Sequence, residues 1–171
     1  MLLAPLSDAA RVWFFPLVRS LTEAEARALL GRVEAWLPTW ASHGRPVAAS
    51  ATLDDRRRVL IVAAEISPDA LNAGVSGCGI DAMTHAVEAA LEAEGLAQLP
   101  ALNVIYEGEG GVWESASRPQ FRALVRAGQA GLQTRVLDLT ATTLGEVRRD
   151  GVEKDVAESW HARVFRVPAA A

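Results

Sequence analysis

The run Val59-Leu60-Ile61-Val62-Ala63-Ala64 decides the fold class. Its first four residues are consecutive large aliphatics, so neither alternate side is polar. A strand of that kind needs apolar cover on both faces and belongs in the middle of a sheet. Just upstream, Val47 to Leu53 alternates, with Val47, Ala49, Ala51 and Leu53 on one side and Ala48, Ser50 and Thr52 on the other. Asp54-Asp55 between the two is a turn signal, so they read as a hairpin.

Working outward, Arg11 to Val18 is rich in Val, Trp and Phe and reads as a strand, although Pro16 cannot donate to a central ladder. Thr22-Glu23-Ala24-Glu25 fits a capping box. The stripe Leu29, Val33, Trp36, Leu37 and Trp40 then follows at helical spacing, with a kink expected at Pro38 and a stop at Gly44. After a loop from Ser67 to Gly77, Ile80, Met83, Val87 and Leu91 mark a second helix that ends near Gly95. Ala101 to Tyr106 is a strand, and Glu107 to Gly111 turns it toward Val112-Trp113. The order is β-α-β-β-α-β, that of a split βαβ or ferredoxin-like core.

Beyond it, Ser117-x-x-Gln120 opens a third helix with Phe121, Leu124 and Val125 on its apolar face, and Arg135 to Leu139 is a strand. Thr140 to Glu158 is polar and weakly patterned. The expected architecture is α+β, a mostly antiparallel sheet with helices on one face. One domain is expected, with a core over about 10–107 and an extension over 108–167.

Composition excludes several classes. The chain has 171 residues, 50% hydrophobic and 22% charged, enough for a sizeable core and too few charges for wholesale disorder. Its net charge of −4 argues against nucleic-acid binding by broad phosphate neutralisation. A single cysteine excludes an internal disulfide and an all-cysteine metal centre, and an unpaired thiol suits a reducing cytosol. No apolar window of about 18 residues exists. Met1 to Leu6 lacks a basic leader segment, so a cytoplasmic location is expected. No cofactor-binding motif is apparent.

Four motifs carry a resemblance: Trp40-Ala41-Ser42-His43-Gly44, Ser76-Gly77-Cys78-Gly79-Ile80-Asp81, Thr143-Leu144-Gly145-Glu146 and Ser159-Trp160-His161. In this order and at similar spacing they resemble a family of small bacterial proteins that often carries the label "ABC transporter ATPase". This sequence does not support the label. A phosphate-binding loop needs Gly-x-x-x-x-Gly-Lys-Ser/Thr, and the single lysine here, Lys154, lies between Glu153 and Asp155. The resemblance supplies a map of motifs and no mechanism.

Cys78 stands out, in a glycine-rich turn at the start of the second helix. The positive end of a helix dipole favours an anion, whether a thiolate or a bound phosphate or carboxylate, and Gly77 and Gly79 allow close approach to the backbone. A small buried hydrophobe is the competing role. Asp81 reads as a first-turn carboxylate. His43 reads as a cap at a helix C-terminus, and His161 either as a base returning to Cys78 or as a histidine packed under Trp160. His85 shares a face with Asp81, Glu88 and Glu92, which reads as solvated rather than metal-binding. Glu65 ends the apolar strand, and Arg56-Arg57-Arg58, balanced by Asp54-Asp55, reads as a solvated hairpin tip.

Two functions follow. In the first, the chain is a binding or interaction module whose helix start (Ser76, Gly77, Gly79, Asp81) and Trp160 hold a small anion or a protein partner. In the second, it is a thiol-dependent enzyme or redox protein that uses Cys78 with His161 or His43. In either case the loop 76–81, the region of His43 and Ser159-Trp160-His161 are expected to line one concave site.

Overall fold

The computed structural model describes residues 3, 5–66, 74–100 and 102–168. Much of the expected loop at Ser67 to Gly77, part of the N-terminal stretch and the last three alanines lie outside the described residues. The chain forms two compact units: Met1–Leu99 with Thr142–Arg149, and Pro100–Ala141 with Asp150–Ala171. The division after residue 99 and the return of 142–149 to the first unit differ from the expected core and extension.

The first unit opens with β1 (Arg11–Pro16), α1 (Glu23–Trp36), β2 (Ala41–Ser42), β3 (Arg45–Pro46), β4 (Ala48–Leu53), β5 (Val59–Glu65) and α2 (Gly77–Ala93). The second unit contributes β6 (Val104–Glu107), β7 (Trp113–Ala116), α3 (Arg118–Arg126) and β8 (Arg135–Leu137). The chain then supplies α4 (Leu144–Asp150), nearly all of it in the first unit, and finishes in the second with β9 (Glu153–Asp155) and α5 (Trp160–Phe165). Among the described residues, no helix is long and apolar enough to cross a membrane.

In the first unit β5 is central, as its composition requires, in the antiparallel order β1-β5-β4. Every residue from Val59 to Ala64 is at most 2% exposed. Leu60, Val62 and Ala64 join Leu29 and Val33 of α1 and Met83 and Val87 of α2 in one core. Pro16 fits because it is the last residue of β1, at the side of the sheet, and its carbonyl accepts from the Leu99 amide at 2.7 Å.

The β4–β5 turn is built by Asp54, whose carboxylate accepts from the amides of Arg58 (2.6 Å) and Val59 (2.7 Å). The arginines beside it are not a solvated tip. Arg57 Nε donates to the Leu21 carbonyl at 2.9 Å, and Arg58 is buried, with Nη2 donating to the Val18 carbonyl. The capping box of α1 forms as its spacing predicts: Glu25 N–H donates to Thr22 Oγ1, and the Thr22 amide donates to the Glu25 carboxylate at 2.8 Å. Hydrogen bonds from Arg19 and Thr22 hold the Glu25 carboxyl down at about 2.

The order 1-3-2 of a split βαβ sheet is thus realised in β1, β5 and β4. The expected fourth strand does not complete it. A single bridge, Leu17–Gln98, is made, while Val104–Glu107 pairs with β7 and β8 in the sheet of the second unit, β7-β6-β8-β9. That sheet is also antiparallel. Its core holds Val104, Tyr106, Phe121, Val125, Val136, Val156 and Phe165. Tyr106 donates to the Glu114 carboxylate at 2.8 Å, and burial first, then Glu114, pushes its hydroxyl up to about 12. The weakly patterned stretch after Thr140 supplies α4 and β9.

Leu60 is fully buried on the central strand. Leu60→Ala is expected to destabilise the chain by about 2–5 kcal/mol, the range for deleting a core leucine, read as a lowered urea-unfolding midpoint.

Candidate functional site

Two of the sequence motifs meet in the first unit. After α1 the chain makes one 3-10 turn, Leu37–Thr39, at Pro38, so Trp40 lies beyond the helix. Trp40 is buried, and its indole N–H donates to the Gly79 carbonyl at 2.9 Å. The rings of Trp13 and Trp36 flank it at 6.1 and 5.5 Å. Ser42, also buried, donates its hydroxyl to Ser76 Oγ at 2.9 Å and accepts from the Ser76 amide at 3.0 Å. Ser76 in turn caps α2, accepting from Gly79 N–H at 3.2 Å.

These bonds explain one of the two glycines. A Cβ on Gly79 would stand 3.0 Å from Val75 Cγ1 and 3.3 Å from Ser42 Oγ, so the helix start is pressed against β2. A Cβ on Gly77 would meet open space. Gly77, Cys78 and Asp81 are exposed, and Cys78 is therefore not a buried hydrophobe. The amides of Gly77 and Cys78 have no partner among the described residues.

His43 is not a helix cap. It and Gly44 form the two-residue turn between β2 and β3, with φ of 51° and 74°, a twist that suits a tight hairpin. His43 and His85 are both exposed, and no group of His, Cys, Asp or Glu among the described residues could hold a metal ion. Glu65 accepts from the amide and hydroxyl of Ser7.

Ser159-Trp160-His161 belongs to the second unit. His161 is 1% exposed. Its Nδ1 lies 2.9 Å from Ser159 Oγ, and its ring stacks on Trp160 at 3.9 Å, with Phe121 and Phe165 just beyond 6 Å. Burial pushes its pKa down to about 4; the Asp138 carboxylate opposes this and Arg118 adds to it. The imidazole is neutral at pH 7 and sits in the core of its unit, the packed-under-tryptophan role.

Sequence reasoning missed a groove in the second unit, about 680 Å³ in volume, between α3 and the end of α5. Arg122 and Arg126 line it from α3, and Arg166 from the residue that closes α5. Val125, Phe165 and the half-exposed Val164 supply apolar wall. Some arginines find carboxylates, as in Arg19–Glu25, Arg27–Glu23 and Arg148–Asp8, and others find carbonyls or aromatic rings, as Arg57, Arg11 and Arg118 do. The three groove arginines are exposed and have no carboxylate partner among the described residues. Arg166 also has a left-handed backbone, φ 51°, which costs a non-glycine residue about 1 kcal/mol. One signal could have found the site: Arg122 and Arg126 are like charges at i, i+4, a spacing that costs an isolated helix a few tenths of a kcal/mol.

No protein-family model matches the chain, and no curated protein or solved structure matches it either.

Two outcomes are expected from these contacts. Ser42→Ala leaves the Ser76 amide without its acceptor and should cost about 1–3 kcal/mol in urea unfolding. For His161, a folded pKa of about 4 against 6.5 unfolded means that the unfolded chain binds the proton more readily. Its contribution is complete above pH 6.5 and is lost as pH falls toward 4, by an amount on the order of 3 kcal/mol. Urea midpoints at pH 7 and 4.5 should differ by more in the parent than in His161→Phe.

Proposed function

We propose that the chain is a binding module for a small anionic ligand. The observation that carries this reading is the groove of Arg122, Arg126 and Arg166. Three guanidiniums without carboxylates, gathered around one groove, form a seat for an anion. A volume of about 680 Å³ lies within the range of small-molecule pockets, roughly 300–1,000 Å³. The helix start at Ser76 to Asp81 is a second seat of the same chemistry. Its open amides at Gly77 and Cys78 favour an anion, but Ser42 and Ser76 consume its inner donors.

The thiol-dependent alternative rests on Cys78, exposed at the second position of α2. A general base must reach the proton it takes. His161, one of the two candidate bases, is buried and bonded to Ser159, whereas exposed His43 has no hydrogen bond to Cys78. The binding reading needs neither group.

Isothermal titration with a panel of inorganic phosphate, octanoate and octyl phosphate tests it. At least one anion should bind. The double variant Arg122→Ala/Arg126→Ala should lose tenfold or more, since each charge-assisted hydrogen bond contributes about 1.5–3 kcal/mol. Cys78→Ser should leave the affinity unchanged. No binding by any member of the panel overturns the reading.

A further inference from the structure

We infer that the groove between α3 and α5 takes a soluble amphipathic anion: one phosphate or carboxylate head on an alkyl body. This assignment rests on the binding-module reading above and names the ligand class of that site.

The head group follows from the arginines. Arg122 and Arg126 lie one turn apart on α3, about 6 Å along its axis, and Arg166 faces the same space from the end of α5. Like charges gathered so closely repel, and no carboxylate among the described residues relieves them, although the chain has 21 acidic residues. A ligand anion supplies the missing charge. The guanidinium fork suits two-oxygen heads, carboxylate and phosphate alike.

The body follows from the wall. An inorganic anion would use the arginines and leave Val164 facing water or an ion that gains nothing from it, whereas Val125 and Phe165 line the groove from the core and are already largely buried. Val164 is one of only four large hydrophobic side chains exposed among the described residues. It lies beside the three cations, the place where an apolar ligand body would cover it. The other three, Val18, Leu102 and Val112, do not line the groove. A groove of this size with one exposed valine suits a single chain, whereas a membrane surface calls for a broad apolar face beside the basic residues.

The experiment titrates the full chain with octyl phosphate, inorganic phosphate and octanol, keeping octyl phosphate below its micelle concentration. Each methylene buried is worth about fourfold in affinity. Three or four on the wall should therefore make octyl phosphate bind on the order of a hundredfold more tightly than inorganic phosphate. Octanol should bind far more weakly than octyl phosphate. Arg122→Ala/Arg126→Ala should lose tenfold or more, and Arg122→Lys/Arg126→Lys should retain much of the affinity. Val164→Asp, at an exposed position, should weaken octyl phosphate and leave inorganic phosphate less affected.

Equal affinity for inorganic and octyl phosphate would overturn the amphipathic assignment and leave the binding-module reading standing. No binding of inorganic phosphate, octyl phosphate or octanoate would overturn both. Octanol binding as tightly as octyl phosphate, or full affinity in the double-alanine variant, would overturn the role of the arginines. Co-sedimentation with phosphatidylglycerol vesicles, lost in the double-alanine variant, would overturn the soluble ligand in favour of a lipid.

Discussion

A strand with no polar side constrains everything around it. β5 cannot tolerate water on either face, and its backbone needs a partner along both edges. The first unit meets those demands in turn. β1 and β4 flank β5, α1 and α2 cover the face of Leu60 and Val62, and Asp54 fixes the turn that sets the β4 register. Even the basic run beside it is recruited: Arg57 and Arg58 tie the start of β5 to the segment before α1. Charges that look idle in sequence are here hydrogen-bond donors to backbone carbonyls.

The parts of this fold that were legible are those governed by local periodicity. Val59 to Ala64 announced a central strand, and Thr22 with Glu25 announced a helix start. What misled was a pattern continuing past the element that made it. Trp36 and Trp40 share helical spacing, but Pro38 removes an amide and the helix gives way to one 3-10 turn. The chain then needs only His43 and Gly44 in left-handed backbone to reverse direction. A histidine in such a position is uncommon, and no periodicity encodes it. The fourth strand was misplaced for a different reason. Val104 to Glu107 is a sound strand by composition, and composition does not say which sheet it joins.

The candidate site was legible in its pieces and not in its assembly. The motifs around Ser42 and Ser76 converge, yet what they build is a knot of capping bonds around Gly79. Trp160 and His161 make an aromatic core with Phe121 and Phe165. The arginine groove was hard to read because its third cation, Arg166, lies 40 residues beyond Arg126, and because an exposed arginine in an arginine-rich chain draws no notice. The informative feature is that three of them gather around one groove with no carboxylate among its lining.

The route of the chain has a consequence for how the protein is made. Residues 142–149 return to the first unit, where the Val12 amide donates to the Thr142 carbonyl and the Leu144 amide to the Ala10 carbonyl. A nascent chain that has only reached residue 99 has the whole three-stranded sheet but not this segment. The ribosome must add the 42 residues of 100–141 before the first unit can acquire its last backbone bonds. Synthesis order and structural order therefore part company: the unit begun first is finished only after most of the second has been translated.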